Sequence, residues 1–152
     1  MEEISLHALT NRFLEDQSQL DGCLVTLKGW ARTNRNNGKI GFIAFNDGSV
    51  FPTLQLVYEK EQLDMHEYEC CSKVGNGDAL IVEGKIVLTP QAKQPYEMHI
   101  THLEITAKCS SDYPLQKKRH SFEYLREIPH IRPRANTFMA VFKVRSLLSM
   151  AI

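Results

Sequence analysis

VTLKGWARTNRNNGKIGFIAFNDGSVFPTLQLVY, residues 25–58, carries the pattern that decides the fold. In its first run Val25, Leu27, Gly29 and Ala31 share one face, while Thr26, Lys28, Trp30 and Arg32 share the other, the period-two signature of a half-buried strand. In IGFIAF, Ile43 and Phe45 fall on one face and Phe42 on the opposite one. TLQLVY points Leu54, Leu56 and Tyr58 inward and Thr53, Gln55 and Val57 outward. The Asn- and Gly-rich NRNNG predicts a turn between the first two runs, and Asn46-Asp47-Gly48 predicts the next, so the three strands form a meander.

Beyond Tyr58 the period lengthens. From about Lys60 to Val74, Leu63, Tyr68 and Cys71 fit one helix face, and Gly75-Asn76-Gly77 supplies a stop. ALIVEGKIVL and YEMHITHLEI then read as two more strands, separated by the polar loop TPQAKQP. In the last run apolar parity slips between Met98/Ile100 and Leu103/Ile105, which calls for a bulge near Thr101. Three meander strands, a helix and two strands is the order of the OB fold, a five-stranded Greek-key barrel that binds oligonucleotides across strands two and three. An open sheet or another small barrel is the alternative. The fold class is therefore all-β with accessory helices, with the barrel at residues 21–108.

Outside the barrel, residues 1–20 predict a helical extension, because Leu6, Leu9, Phe13 and Leu14 recur at helical spacing and Glu2 and Glu3 suit a first turn. Residues 109–136, with Pro114, Pro129, Pro133 and a dense basic run, read as a hinge. Residues 137–152 predict a helix capped by Thr137 and apolar nearly all round, through Phe138, Val141, Phe142, Val144, Leu147, Leu148 and Ile152. Such a helix belongs inside something larger, and with no Gly or Pro to end it the chain is expected to be a truncated piece.

Composition narrows the function. The 152 residues balance 18 basic against 18 acidic side chains, and no apolar run reaches the roughly 20 residues that span a bilayer. With no signal or transit pattern in MEEISLHALT, the expected compartment is the cytoplasm. Cys23, Cys70, Cys71 and Cys109 contain no C-x-x-C pair and read as reduced thiols. His99 and His102, three apart on a strand, face opposite sides and cannot share a metal unless the strand bulges, so no metal is expected. No G-x-x-x-x-G-K, G-x-S-x-G or H-E-x-x-H motif is present, so no catalytic residue is assigned.

Binding chemistry is better represented. Lys28, Arg32, Arg35 and Lys39 form a stretch without acids, either a nucleic-acid patch or a charged edge that keeps the sheet from pairing with another. An unstacked RNA base is held by an aromatic face together with amide or guanidinium groups at its edge. Phe42, Gln55 and Arg35 offer these three groups on neighbouring strands. The plainer alternative has Phe42 capping the barrel or packing beneath the N-terminal extension.

From about Asp21 onward the chain resembles the front of the asparaginyl-tRNA synthetases, class II enzymes grouped with the aspartyl and lysyl ones. VTLKGWARTNRNNGKIGFIAFNDGS resembles the anticodon-domain signature of that group, and VEGKIVLTPQAKQPYEMHITHLEI its last two strands. FEYLREIPHIRPRANTFMAVFKVRSLLSMAI is the most specific part, its Leu-Arg, His-Ile-Arg-Pro-Arg, Asn-Thr-Phe and Val-Arg-Ser series resembling the asparaginyl branch. Pro129, where a small residue is usual, and Met139, where Gly is common, depart from the pattern without touching the site.

The resemblance implies that Phe42 stacks on the middle anticodon base, a uridine, while Gln55 and Arg35 contact its edge or the adjoining backbone. Arg32, Asn46 and Lys93 complete the expected RNA-contacting set. The final helix resembles the start of motif 1, the dimer helix of the catalytic domain. Motifs 2 and 3 are absent, so ATP and magnesium belong to the full-length ligase and the fragment is expected to bind tRNA without catalysis. An aspartyl-type anticodon domain and a free-standing single-strand module are the alternatives.

Overall fold

The computed structural model describes residues 2–152 except Lys93, Ser111, Gln116, Lys117 and Arg119. Two compact units result, Met1–Ser111 and Asp112–Ile152.

The first unit contains β1 (Glu2–Glu3), α1 (Leu6–Glu15), β2 (Leu24–Asn36), β3 (Ile40–Asn46), β4 (Leu54–Glu59), α2 (Met65–Ser72), β5 (Ala79–Leu88) and β6 (Tyr96–Ala107). The sheet runs β1-β2-β3-β4-β6-β5, and β5 returns to pair with β2, so five strands close into the expected OB barrel. Closure is possible because β2, at 13 residues, serves two partners. Its first half is antiparallel to β5 from Leu24↔Lys85 to Trp30↔Ala79, and its second half is antiparallel to β3 from Trp30↔Asn46 to Asn36↔Gly41. The remaining seam is the parallel pairing of β4 with β6, Leu56↔Met98 and Val57↔His99.

The inward faces are those the alternation predicts. Val25, Leu27, Ala31, Ile43, Phe45, Leu54, Leu56, Tyr58, Leu80, Val82, Ile86, Met98, Ile100 and Leu103 are all buried in one core. The parity slip in the last strand is a bulge at Thr101, since Glu83 pairs with His102 and Gly84 with Ile100. Val57 departs from the expectation: it faces outward yet is buried, because Phe42 and His99 stand beside it on the flanking strands.

Several boundaries also differ. Glu2 and Glu3 are not in a first helical turn; they form an added sixth strand parallel to β2, and α1 starts later at a Ser5 cap whose hydroxyl accepts from the Ala8 N–H. Asp47 accepts from the Leu6 N–H at 2.8 Å, a carboxylate at the helix N-terminus, while Leu6 and Leu9 enter the core, so the extension is part of the barrel unit. Leu14, expected on the apolar face, is exposed. α2 is shorter than the period suggested, because the Asp64 carboxylate caps it by accepting from the Glu67 N–H. The NRNNG turn is tighter than expected: Asn34, Arg35 and Asn36 belong to β2, and Gly38, with φ of 91°, makes the reversal.

α2 closes the barrel beside Tyr58. The inward amide of Asn34 donates to the carbonyls of Cys71 and Val74 and accepts from the Tyr58 hydroxyl at 2.9 Å, and the Tyr68 hydroxyl reaches Asn36 at 2.9 Å. Burial pushes the Tyr58 phenol up to about 12 and the Cys71 thiol up to about 12. All four cysteines are free. The strand does bulge between His99 and His102, but the two imidazoles are engaged apart, His99 with Glu97 and His102 with Glu67.

In the second unit the expected hinge carries α3 (Phe122–Glu127), with Ser121 as cap and Leu125 buried, followed by a 3₁₀ turn at Arg132–Arg134. The last helix, α4 (Asn136–Ala151), begins at Ala135 with no side-chain cap, so Thr137 lies in its first turn instead of capping it. Phe138 packs edge-on to Phe122 at 6.1 Å and under the Arg132 guanidinium at 5.2 Å. Val141, Val144, Leu147 and Leu148 are exposed.

Asp78 ties the end of β6 to the start of β5. Its buried carboxylate accepts from the N–H groups of Gly75 at 2.7 Å and Cys109 at 2.8 Å, with Lys108 at 3.3 Å. Burial alone would raise its pKa, but these bonds outweigh that and hold it below the usual aspartate range. Its stabilisation is therefore complete above about pH 4, the unfolded value, and is lost as pH falls through the lower folded value. Asp78→Asn should cost about 2 kcal/mol at neutral pH, by turning an amide donor onto N–H donors, and should flatten the acid limb of stability. Urea unfolding of parent and variant at pH 7 and pH 3 measures both effects.

Candidate nucleic-acid interface

The outer surface of β2, β3, β4 and β6 is organised in cross-strand rows. Arg35 pairs with Phe42, Phe42 with Val57, and Val57 with His99, so these four side chains stand in line across four strands. In the next row Thr33 pairs with Ala44 and Ala44 with Gln55. Gln55 is thus diagonal to Phe42, about 7 to 8 Å away between Cα atoms, with the small Ala44 between them as a shallow floor.

Phe42 is 38% exposed despite its size. The N-terminal extension does not cover it, since Leu6 and Leu9 are committed to the core and α1 meets the loop after β3 and Tyr96. Strand alternation turns the ring outward, while its neighbour faces in: a Cβ on Gly41 would lie 1.9 Å from the Tyr58 ring, so glycine there lets Tyr58 fill the interior.

Gln55 is held on two sides. Its backbone N–H donates to the Gln94 side-chain oxygen at 3.0 Å, and Gln94 in turn donates to the Thr53 carbonyl at 3.0 Å, pinning the loop before β6 onto β4. Its side-chain Nε2 donates to Glu97 Oε2 at 3.1 Å. The other Glu97 oxygen lies 3.1 Å from His99 Nε2, and His99 Nδ1 lies 3.9 Å from Glu59.

The structure therefore brings together Arg35, Phe42 and Gln55. It places Asn46 differently. Asn46 is buried, its amide donating to the carbonyls of Val50 and Pro52 and its oxygen accepting from the Gly48 N–H, so it builds the turn and is removed from the exposed face. Arg32 is half-buried at a β2 bulge between Ala31 and Thr33. Lys93 lies outside the described residues. Of the basic stretch, Lys28 is paired with Glu3 at 2.7 Å, whereas Arg35 and Lys39 are exposed and make no ion pair among the described residues.

Glu97 and His99 were missed. Their outward parity in β6 was legible, but not their adjacency to Gln55, which needs the parallel seam between β4 and β6.

A closed barrel whose three meander strands carry an exposed guanidinium (Arg35), an exposed aromatic (Phe42) and a half-buried amide (Gln55) in neighbouring rows offers the groups with which a nucleic-acid-binding face holds a base. Residues 25–106 match the tRNA anti-codon family model, described as an OB-fold nucleic acid binding domain, and the chain belongs to that family. Among curated relatives it is 52% identical over 128 residues to the asparagine–tRNA ligase of Acetivibrio thermocellus, covering 84% of this chain and 27% of that one. It is 45% identical over 146 residues to the asparagine–tRNA ligase of Clostridium acetobutylicum, covering 96% of this chain and 31% of that one. Among solved structures, the asparaginyl-tRNA synthetase of Pyrococcus horikoshii complexed with asparaginyl-adenylate superposes over 99% of this chain and 33% of that one, with a TM-score of 0.80 at 27% identity. The chain thus spans under a third of the length of these curated relatives.

Two substitutions on adjacent residues should separate platform from core. Gly41→Ala forces the Tyr58 ring out of place and should lower stability by about 2 kcal/mol or more, as overpacking does. Phe42→Ala, at a solvent-facing ring, should change it by less than about 1 kcal/mol. Thermal melts of both variants check the contrast.

Proposed function

We propose that the chain is the anticodon-reading part of an asparagine–tRNA ligase, holding the middle anticodon uridine on Phe42 with Gln55 at its edge and Arg35 at the adjoining backbone. The observation that carries this reading is the juxtaposition of exposed Arg35 and Phe42 with half-buried Gln55 on adjacent strands of the barrel. The similarity to asparagine–tRNA ligases supports the choice of tRNA as the RNA.

In this reading the fragment binds and the complete ligase catalyses. ATP and magnesium serve that whole protein, in the cytoplasm, and Arg32 and Lys93 stay as secondary RNA contacts. No helix among the described residues is long and apolar enough to cross a membrane. The exposed apolar side chains of α4 are proposed to meet a second copy in the homodimer of the parent enzyme.

Zero net charge and the pairing of Lys28 with Glu3 leave phosphate attraction too weak to hold RNA indiscriminately at physiological salt. Phe42→Ala should therefore weaken binding of an asparagine-tRNA anticodon stem-loop by about 1 to 3 kcal/mol, the worth of one base stack. Fluorescence titration near 150 mM salt measures it, and equal affinity of parent and variant would sink the stacking role. Sedimentation tests the dimer: the chain should self-associate, and the double variant Val141→Lys, Leu148→Lys should be monomeric with RNA affinity unchanged.

A further inference from the structure

A primary carboxamide has two unlike ends, and which end faces a base decides which base is accepted. In this protein the carboxamide of Gln55 has Glu97 beside it. An ionised carboxylate only accepts hydrogen bonds, so each group turned toward it must donate. Gln55 presents its NH2 group to Glu97 Oε2 at 3.1 Å, and His99 presents its Nε2–H to Glu97 Oε1 at 3.1 Å. Glu97 itself is four-fifths buried in side-chain surface and fastened at both oxygens. The Gln94 amide fixes the β4 backbone at Gln55, so the carboxamide cannot shift away from the carboxylate as a unit.

With one N–H committed to Glu97, Gln55 has its Oε1 and its second N–H left to offer outward, and Oε1 has no hydrogen-bond donor among the described residues. Uracil carries a donor, N3–H, beside an acceptor, O4. Its N3–H meets Oε1 and its O4 meets the remaining N–H. Cytosine carries the reverse, an acceptor N3 beside the N4 amine, and would set acceptor against acceptor and donor against donor. Gln55 could suit cytosine only by rotating its amide half a turn, which would press Oε1 against the Glu97 carboxylate.

We propose that Glu97, braced by His99, is a specificity-determining residue that locks the Gln55 carboxamide in the orientation that accepts uracil and refuses cytosine. Glu97 does not touch the base in this role; it acts through Gln55. The proposal rests on the reading of Phe42 and Gln55 as the holder of the middle base.

The test is the ratio of affinities of this chain for two anticodon stem-loop RNAs that differ only by uridine or cytidine at the middle position. The parent should favour uridine by about ten-fold or more, as a well-aligned bidentate contact does. Glu97→Gln faces Gln55 with an amide that can donate or accept, so the ratio should fall to within about three-fold while uridine affinity is largely kept. Glu97→Lys, whose ammonium only donates, should draw Oε1 toward it and turn the preference toward cytidine. A parental ratio retained by either Glu97 variant, while Gln55→Ala abolishes it, overturns the lock and leaves Gln55 as the reader. So does an equal loss of affinity for both RNAs, which marks Glu97 as merely structural. A parent chain with no preference, or no binding, defeats the underlying reading of the face instead.

Discussion

The parallel pairing of β4 with β6 is the shortest seam in the barrel, and the site depends on it more than on any other contact. Two register pairs, Leu56↔Met98 and Val57↔His99, join strands separated by α2 and by the whole of β5. Loop closure of that length is slow to form and is rewarded only when the core fills, through Leu56 and Met98, which are fully buried. Gln94 reinforces the seam by accepting from the Gln55 N–H of β4 and donating to the Thr53 carbonyl just before that strand. Once the seam exists, the outer face acquires Glu97 and His99, and Gln55 acquires a fixed orientation.

The two sides of β3 illustrate how interior demands shape the surface. Tyr58 needs the space that a glycine at 41 leaves, and its phenol is satisfied by Asn34, an inward amide that also receives the end of α2. Those buried polar bonds are complete, so this end of the barrel is rigid without a purely apolar filling. On the reverse side the same strand carries Phe42, which stands beside buried Val57 and keeps part of its ring exposed. A stacking platform is most useful when its backing does not move, and here the backing is the core itself.

Charge is distributed with similar economy. Zero net charge and the pairing of Lys28 with Glu3 leave a weak field around the ring, so in the proposed function the face relies on hydrogen-bond pattern and stacking more than on attraction to phosphate. Carboxylates on a surface read as RNA-binding look misplaced until their partners are considered. Glu97 and Glu59 lie to either side of His99, and Glu97 is also bonded to Gln55, so each acts on a neighbouring side chain within the face.

How much of this was legible follows from the range of the forces involved. Alternation of side chains is a local property of an extended chain, so the five strands, the inward sets of β2, β3 and β4, the bulge at Thr101 and the outward posts of Phe42 and Gln55 could all be read from residue order. Capping and docking are local only in part: α2 starts at Asp64 and the extension locks onto Asp47 because those carboxylates meet N–H groups, one of them 41 positions away. The burial of Val57, the withdrawal of Asn46 into its turn, the neutralisation of Lys28 and the bond between Gln55 and Glu97 all depend on strands far apart in the chain becoming neighbours. The sequence by itself determined the barrel and the three side chains offered outward, because period and parity are written residue by residue. Only the tertiary structure decided which groups stand beside them, because adjacency across the β4 and β6 seam is created by closing the barrel.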